Sequence, residues 1–185
     1  MDAQVTNLTD AQLTRAIQSC GDFQQALSAL TFLSDECDYS ALYVTAELRR
    51  FQCYENSAIV AFARPFEVSR GRTALGLRAL GVRLSPAEEQ LQSKLLELRR
   101  KVIAHSDDES MHFKISTLTP FEDSPVMLPV LQFHESLHLD AAEVAEFQAL
   151  LSKLVGGLTS AIFALAQRQP ARLNVYKVPL GQPRK

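Results

Sequence analysis

Apolar residues recur every three to four positions over most of this chain, the spacing of helices that bury one side. Thr9 or Asp10 can cap a first short helix that runs to about Cys20 and stops at Gly21. A second apolar stretch, Phe23 to Leu33, breaks near Asp35 to Asp38, and a longer helix follows from about Ser40 to Ala63. Arg64-Pro65 ends it, because the residue before a proline is pushed out of the helical region. On that helix Leu48, Phe51, Glu55, Ile59 and Phe62 fall on one stripe, so Glu55 is a carboxylate among apolar neighbours.

The periodicity lapses between Pro65 and Arg83, a segment rich in Arg and Gly that reads as a loop with at most a short helix around Thr73 to Leu80. Ser85-Pro86-Ala87-Glu88 then combines an N-cap serine, a proline in the first turn and the glutamate of a capping box. The helix it opens is predicted to reach about His105, where Ser106-Asp107-Asp108 breaks it. Met111 to Leu118 and Val126 to Phe133 are β-favouring runs that predict a hairpin. Asp140-Ala141-Ala142-Glu143 is another capping box, for a helix running to about Arg168, and Pro170 to Lys185 reads as a loosely held tail. The pattern predicts a mainly all-α protein, a helical bundle with a small β-hairpin insertion near residues 111–134, as one domain over 1–169 with a tail over 170–185.

At 185 residues the chain suits one domain that buries about 70% of its unfolded surface. With 46% hydrophobic and 22% charged residues, wholesale disorder is excluded. A net charge of -2 argues against coating nucleic acid or an anionic membrane by charge alone, so a nucleic-acid role must rest on a local basic site. Cys20, Cys37 and Cys53 are odd in number and lack C-x-x-C spacing, which predicts buried thiols in a reducing compartment rather than disulfides or a zinc ribbon. No secretory signal opens the sequence, and the longest apolar stretch, Leu154 to Ala166, falls short of the ~20 residues that span a bilayer. A cytoplasmic protein without membrane contact is expected.

Counting 100° per residue from Leu91 places Leu95, Leu98, Val102 and His105 within ~40° of one direction. Arg99 sits at the edge of that stripe, whereas Arg100 points almost directly away. A histidine and basic residues in a last turn also suit the helix dipole without any chemistry. The string itself adds more. Leu98-Arg99-Arg100-Lys101-Val102-Ile103-Ala104-His105-Ser106-Asp107 resembles the signature of the HEPN superfamily, helical nucleotide-binding domains whose hallmark is an arginine followed four to six residues later by a histidine at the end of a bundle helix. Tyr54-Glu55-Asn56-Ser57-Ala58 is similar to the polar helix segment those proteins pair with the motif.

The resemblance implies a metal-independent endoribonuclease, a toxin or phage-defence effector, without a cofactor and with RNA as substrate. It implies a homodimer whose two motifs face each other, with an antitoxin or neighbouring defence protein as a further partner. Arg99 and His105 would be catalytic: an imidazole with a pKa of about 6.5 can take the 2′-hydroxyl proton, and a guanidinium fork can stabilise charge on the phosphate. Glu55, Asn56, Arg100 and Asp107 would support them, Glu55 either by holding Arg99 or as a purely structural ion pair. Arg100 stands where the family most often has asparagine, and Asp107 replaces a tyrosine found in members regulated by a nucleotidyltransferase, so that regulation is not expected. The alternative is a catalytically silent nucleotide-binding or protein-interaction module on the same fold.

His134-Glu135-Ser136-Leu137-His138 matches the zinc-protease word H-E-x-x-H, which works only on a helix. Here it follows a strand-like run and precedes the cap at Asp140, and no Asp, Glu or His follows Glu146 to supply a third ligand. No metal site is expected from His134 and His138.

Overall fold

The computed structural model describes residues 8–68, 73–100, 113–119, 126–133 and 136–176. Helix α1 spans Asp10–Glu36, opened by a capping box in which the Thr9 hydroxyl accepts from the Gln12 N–H and the Gln12 side chain accepts from the Thr9 N–H. It runs straight through Gly21, against the predicted stop there. The buried stripe Ala16, Phe23, Ala26, Leu30 and Leu33 continues in phase across the glycine, and that burial outweighs a helical-glycine cost of about 1 kcal/mol. The break at Asp35 to Asp38 does occur, with Cys37 as the C-cap.

Helix α2 covers Thr45–Ala63 and so begins five residues later than the predicted Ser40. Asp38 holds the intervening turn: its carboxylate accepts from the Ser40 N–H and hydroxyl at 2.9 and 2.7 Å, while its own N–H donates to the Tyr43 hydroxyl at 2.6 Å. Such local bonds compete with helix formation. At the other end α2 stops before Arg64-Pro65 and gives way to one 3₁₀ turn over Arg64–Phe66. A second short 3₁₀ turn, Leu77–Leu80, lies inside the predicted loop.

Helix α3 is Pro86–Leu98 and helix α4 is Ala141–Arg168, each opened by its predicted capping box, Ser85 with Glu88 and Asp140 with Glu143. Strands β1, Phe113–Leu118, and β2, Leu128–Phe133, pair antiparallel with Ile115 opposite Leu131 and Leu118 opposite Leu128. The mainly α architecture with a hairpin insertion is therefore as the pattern indicated. The side chains of Ile115, Leu118, Leu128 and Leu131 are exposed.

The core lies among α1, α2 and α4. Phe62 of α2 stacks edge-on against Phe147 of α4 with centroids 5.1 Å apart and touches Phe23 of α1 at 6.0 Å. Helix α3 is tied to α4 by the Lys94–Glu143 and Lys153–Glu88 ion pairs. Helix α4 is long and apolar enough to cross a membrane by length and composition, with a mean hydropathy of 1.7 over its most apolar window, where the sequence reading found no adequate stretch. In this fold its stripe of Val144, Phe147, Leu151, Leu154, Leu158 and Leu165 is buried in the core.

Two further expectations are corrected. Cys53 is exposed, against the expectation of buried thiols, whereas Cys20 and Cys37 are half-buried and pack against the core. The start of the predicted loose tail is ordered as a 3₁₀ segment, Pro170–Tyr176, because Arg172 donates to the Leu8 carbonyl at 2.6 Å and to the Asp10 carboxylate at 2.7 Å.

Candidate functional site

The Ser85 capping box fixes where α3 begins and thereby the phase of everything after it. The Ser85 N–H donates to the Glu88 carboxylate at 2.6 Å, and the Glu88 N–H donates back to the Ser85 hydroxyl at 3.3 Å. Leu91 and Leu95 are buried and Leu98 packs beside them, as the periodicity requires. At the end of this stripe the side chains of Arg99 and Arg100 part. Arg99 is half-buried and its Nη1 lies 2.9 Å from Oε1 of Glu67. Arg100 is exposed and borders a surface hollow with Ser93, Leu96 and Glu97.

Arg99 keeps right-handed helical backbone angles, φ -59° and ψ -43°, and its N–H donates to the Leu95 and Leu96 carbonyls. His105 and Asp107, predicted to follow on this helix, lie outside the described residues.

Glu67 belongs to the loop that leaves α2, and that loop is pinned by Arg15 of α1. The Arg15 guanidinium, buried at 6% exposure, donates to the carbonyls of Arg64, Pro65 (3.2 Å) and Glu67 (3.1 Å). The Pro65 carbonyl also accepts from the Leu75 N–H at 2.8 Å. Neither Glu67 nor Arg15 was singled out from sequence. Arg15 had a signal: it shares helical spacing with Ser19, Phe23, Ala26 and Leu30, as Glu55 does with its apolar neighbours. Glu67 had none, since it lies in a stretch without periodicity.

Glu55 is fully buried, as its stripe predicted, but its partner is not Arg99. Its carboxylate accepts from the N–H of His138 at 3.0 Å and of Leu139 at 2.8 Å, closing the turn that enters α4. Desolvation pushes the Glu55 carboxyl up to about 7; the two backbone bonds and Lys94 oppose that shift, and Glu143 adds to it. The expected role of Glu55 as the holder of Arg99 is thus taken by Glu67. Asn56 is half-buried, and its Oδ1 has no hydrogen-bond partner among the described residues.

The turn that Glu55 closes also decides the fate of the H-E-x-x-H word. Residues 136–140 are not helical, and the Ser136 carbonyl accepts from Gln52 at 3.1 Å. His138 is half-buried, and burial followed by the Lys94 charge depresses its imidazole pKa. The helical geometry that a zinc protease needs is absent over that part of the word, while His134 and Glu135 lie outside the described residues. Among the described residues no three His, Cys, Asp or Glu side chains are grouped to hold a metal.

No family model, curated protein or solved structure matches the chain.

Proposed function

We propose that the chain is a metal-independent endoribonuclease of the HEPN type, with Arg99 and His105 as its reacting pair. The observation that carries this reading is the separation of the two arginines. Of the pair in the motif string, Arg99 is the one drawn half inward and held by a carboxylate at the end of α3, while Arg100 is exposed. In the reaction the 2′-oxygen attacks the adjacent phosphorus as an imidazole takes its proton, and the bond to the 5′-oxygen breaks as a second imidazole returns a proton to that oxygen. The products are a 2′,3′-cyclic phosphate and a 5′-hydroxyl. The second imidazole is that of another copy of the chain, and Arg99 stabilises the charge that grows on the phosphate. A growth-arresting effector in stress or phage defence, held in check by a partner protein, is the setting this chemistry suits.

A second reading, a catalytically silent nucleotide-binding or interaction module, is favoured by the same ion pair, because a guanidinium paired with Glu67 also satisfies a purely structural role. Expression in a bacterial host separates the two. Wild-type protein is expected to slow growth and fragment RNA, whereas folded Arg99→Ala and His105→Ala do neither; Arg100→Ala retains most activity, and Arg100→Asn retains or raises it. Wild type and His105→Ala with the same outcome, both well expressed, would move the assignment to the silent module.

A further inference from the structure

The ion pair at Arg99 is the end of a chain of contacts that begins in the core. Arg15 sits on the buried stripe of α1 and directs its planar fork at three carbonyls within four residues just past α2: Arg64, Pro65 and Glu67. A fork that grips the backbone at several points fixes that backbone far better than one contact could. The Leu75 N–H on the Pro65 carbonyl holds the same loop from its other side. The Glu67 carboxylate consequently leaves a clamped backbone. It meets Arg99 through one guanidinium nitrogen, with the two side chains 26% and 33% exposed. Among the described residues that is its one ion pair, a contact that restrains the arginine while other donors of its five-donor fork can bind a second anion.

We propose that Glu67 is the positioning residue for the phosphate-binding Arg99, and that Arg15 is the anchor that makes Glu67 rigid enough to serve. This rests on the ribonuclease reading of Arg99. It extends that reading by assigning the restraint on the guanidinium to a loop outside the motif helix. Arg99 itself keeps helical backbone angles and donates its N–H to the Leu95 and Leu96 carbonyls, so the helix sets where the side chain starts and the tie to Glu67 sets where its guanidinium ends. Misplacing a charge-stabilising group by a fraction of its reach lowers turnover while ground-state binding is largely kept.

The test uses full-length protein, a fluorophore-labelled single-stranded ribo-oligonucleotide, and NMR of the Arg99 side-chain Nε–H resonance, assigned by its loss in Arg99→Lys. Glu67→Ala, confirmed folded by its melt, is expected to lower kcat about tenfold or more with KM changed less than about threefold. Glu67→Gln, which keeps a hydrogen-bond acceptor, should recover a substantial part of kcat. Arg15→Lys, which keeps the charge without the fork, should lower kcat in the same way if its melt shows a folded protein. The Arg99 Nε–H resonance should be sharp in wild type and broadened or lost in Glu67→Ala. Wild-type cleavage with kcat and KM untouched in folded Glu67→Ala would overturn the positioning role while leaving the ribonuclease reading intact. An inert wild type whose Arg99 resonance still depends on Glu67 would overturn the ribonuclease reading and uphold the restraint; an Arg99 resonance indifferent to Glu67 would overturn the restraint.

Discussion

A carboxylate that gives up all contact with water must be compensated by its neighbours, and Glu55 is compensated by two backbone N–H groups rather than by a cation in direct contact. Its carboxyl, near 4.5 when the chain is unfolded, titrates at about 7 in the fold. Between those values the folded protein keeps a proton that the unfolded chain has released, so stability falls as pH rises through that window and levels off above it. The expected loss is roughly 3 kcal/mol, measurable as urea midpoints between pH 4.5 and 8. A Glu55→Gln protein removes the titration and should flatten this contribution while still offering one oxygen to the turn. Glu55→Ala leaves the N–H groups of His138 and Leu139 without their acceptor and should cost about 2–4 kcal/mol near pH 5, and less as pH rises through the Glu55 titration. A wild-type urea midpoint that does not fall over this range, or a Gln variant with the same pH profile, would refute the account.

Two adjacent glycines on α4 behave as different elements of the packing. A Cβ at Gly157 would collide with the branched side chain of Val82 in the segment leading to α3, whereas a Cβ at Gly156 would meet open space. Gly157→Ala should therefore destabilise by about 1–3 kcal/mol, and Gly156→Ala should stabilise by about 0.5–1 kcal/mol through helix propensity alone. Thermal melts of the two single variants check both signs. At the start of α3, Ser85→Ala removes the cap of the Glu88 N–H and should cost about 1 kcal/mol. These elements were largely legible because their signals are local: a capping box closes over three residues, a hairpin shows as two β-favouring runs, and the α-helix ends at Arg64-Pro65, though Arg64 keeps helical angles and the stop reflects the N–H that Pro65 lacks rather than a displaced residue before it. What escaped was set by tertiary contact. Gly21 looked like a stop because propensity was weighed without the core stripe on either side of it, and Ser40 looked like a start because the Asp38 turn uses bonds that periodicity does not encode. At the site, the inward placement of Arg99 followed from phase, but its partner Glu67 lies in an aperiodic loop placed by Arg15, and no local pattern connects the three.

The proposed chemistry needs two copies of the motif in one cleft, so the whole protein is expected to sediment as a dimer at micromolar concentration. A monomer at high micromolar concentration would remove the composite site. Within one copy, Arg172 reaches Leu8 across 164 residues of chain, closing the described polypeptide almost into a ring. Its bond to Asp10 is at the surface and adds little to global stability, so Arg172→Ala should speed hydrogen exchange in the first turn of α1 while moving the melting temperature only slightly. The same closure bears on synthesis and on engineering. Because it joins residue 172 to residue 8, it can form only after α4 has been made, and until then the first turn of α1 relies on local bonds such as the Thr9 cap. It also means that a short linker from residue 172 to residue 8 would connect positions already in contact, and a circular permutant opened between β1 and β2 should fold with the bundle intact.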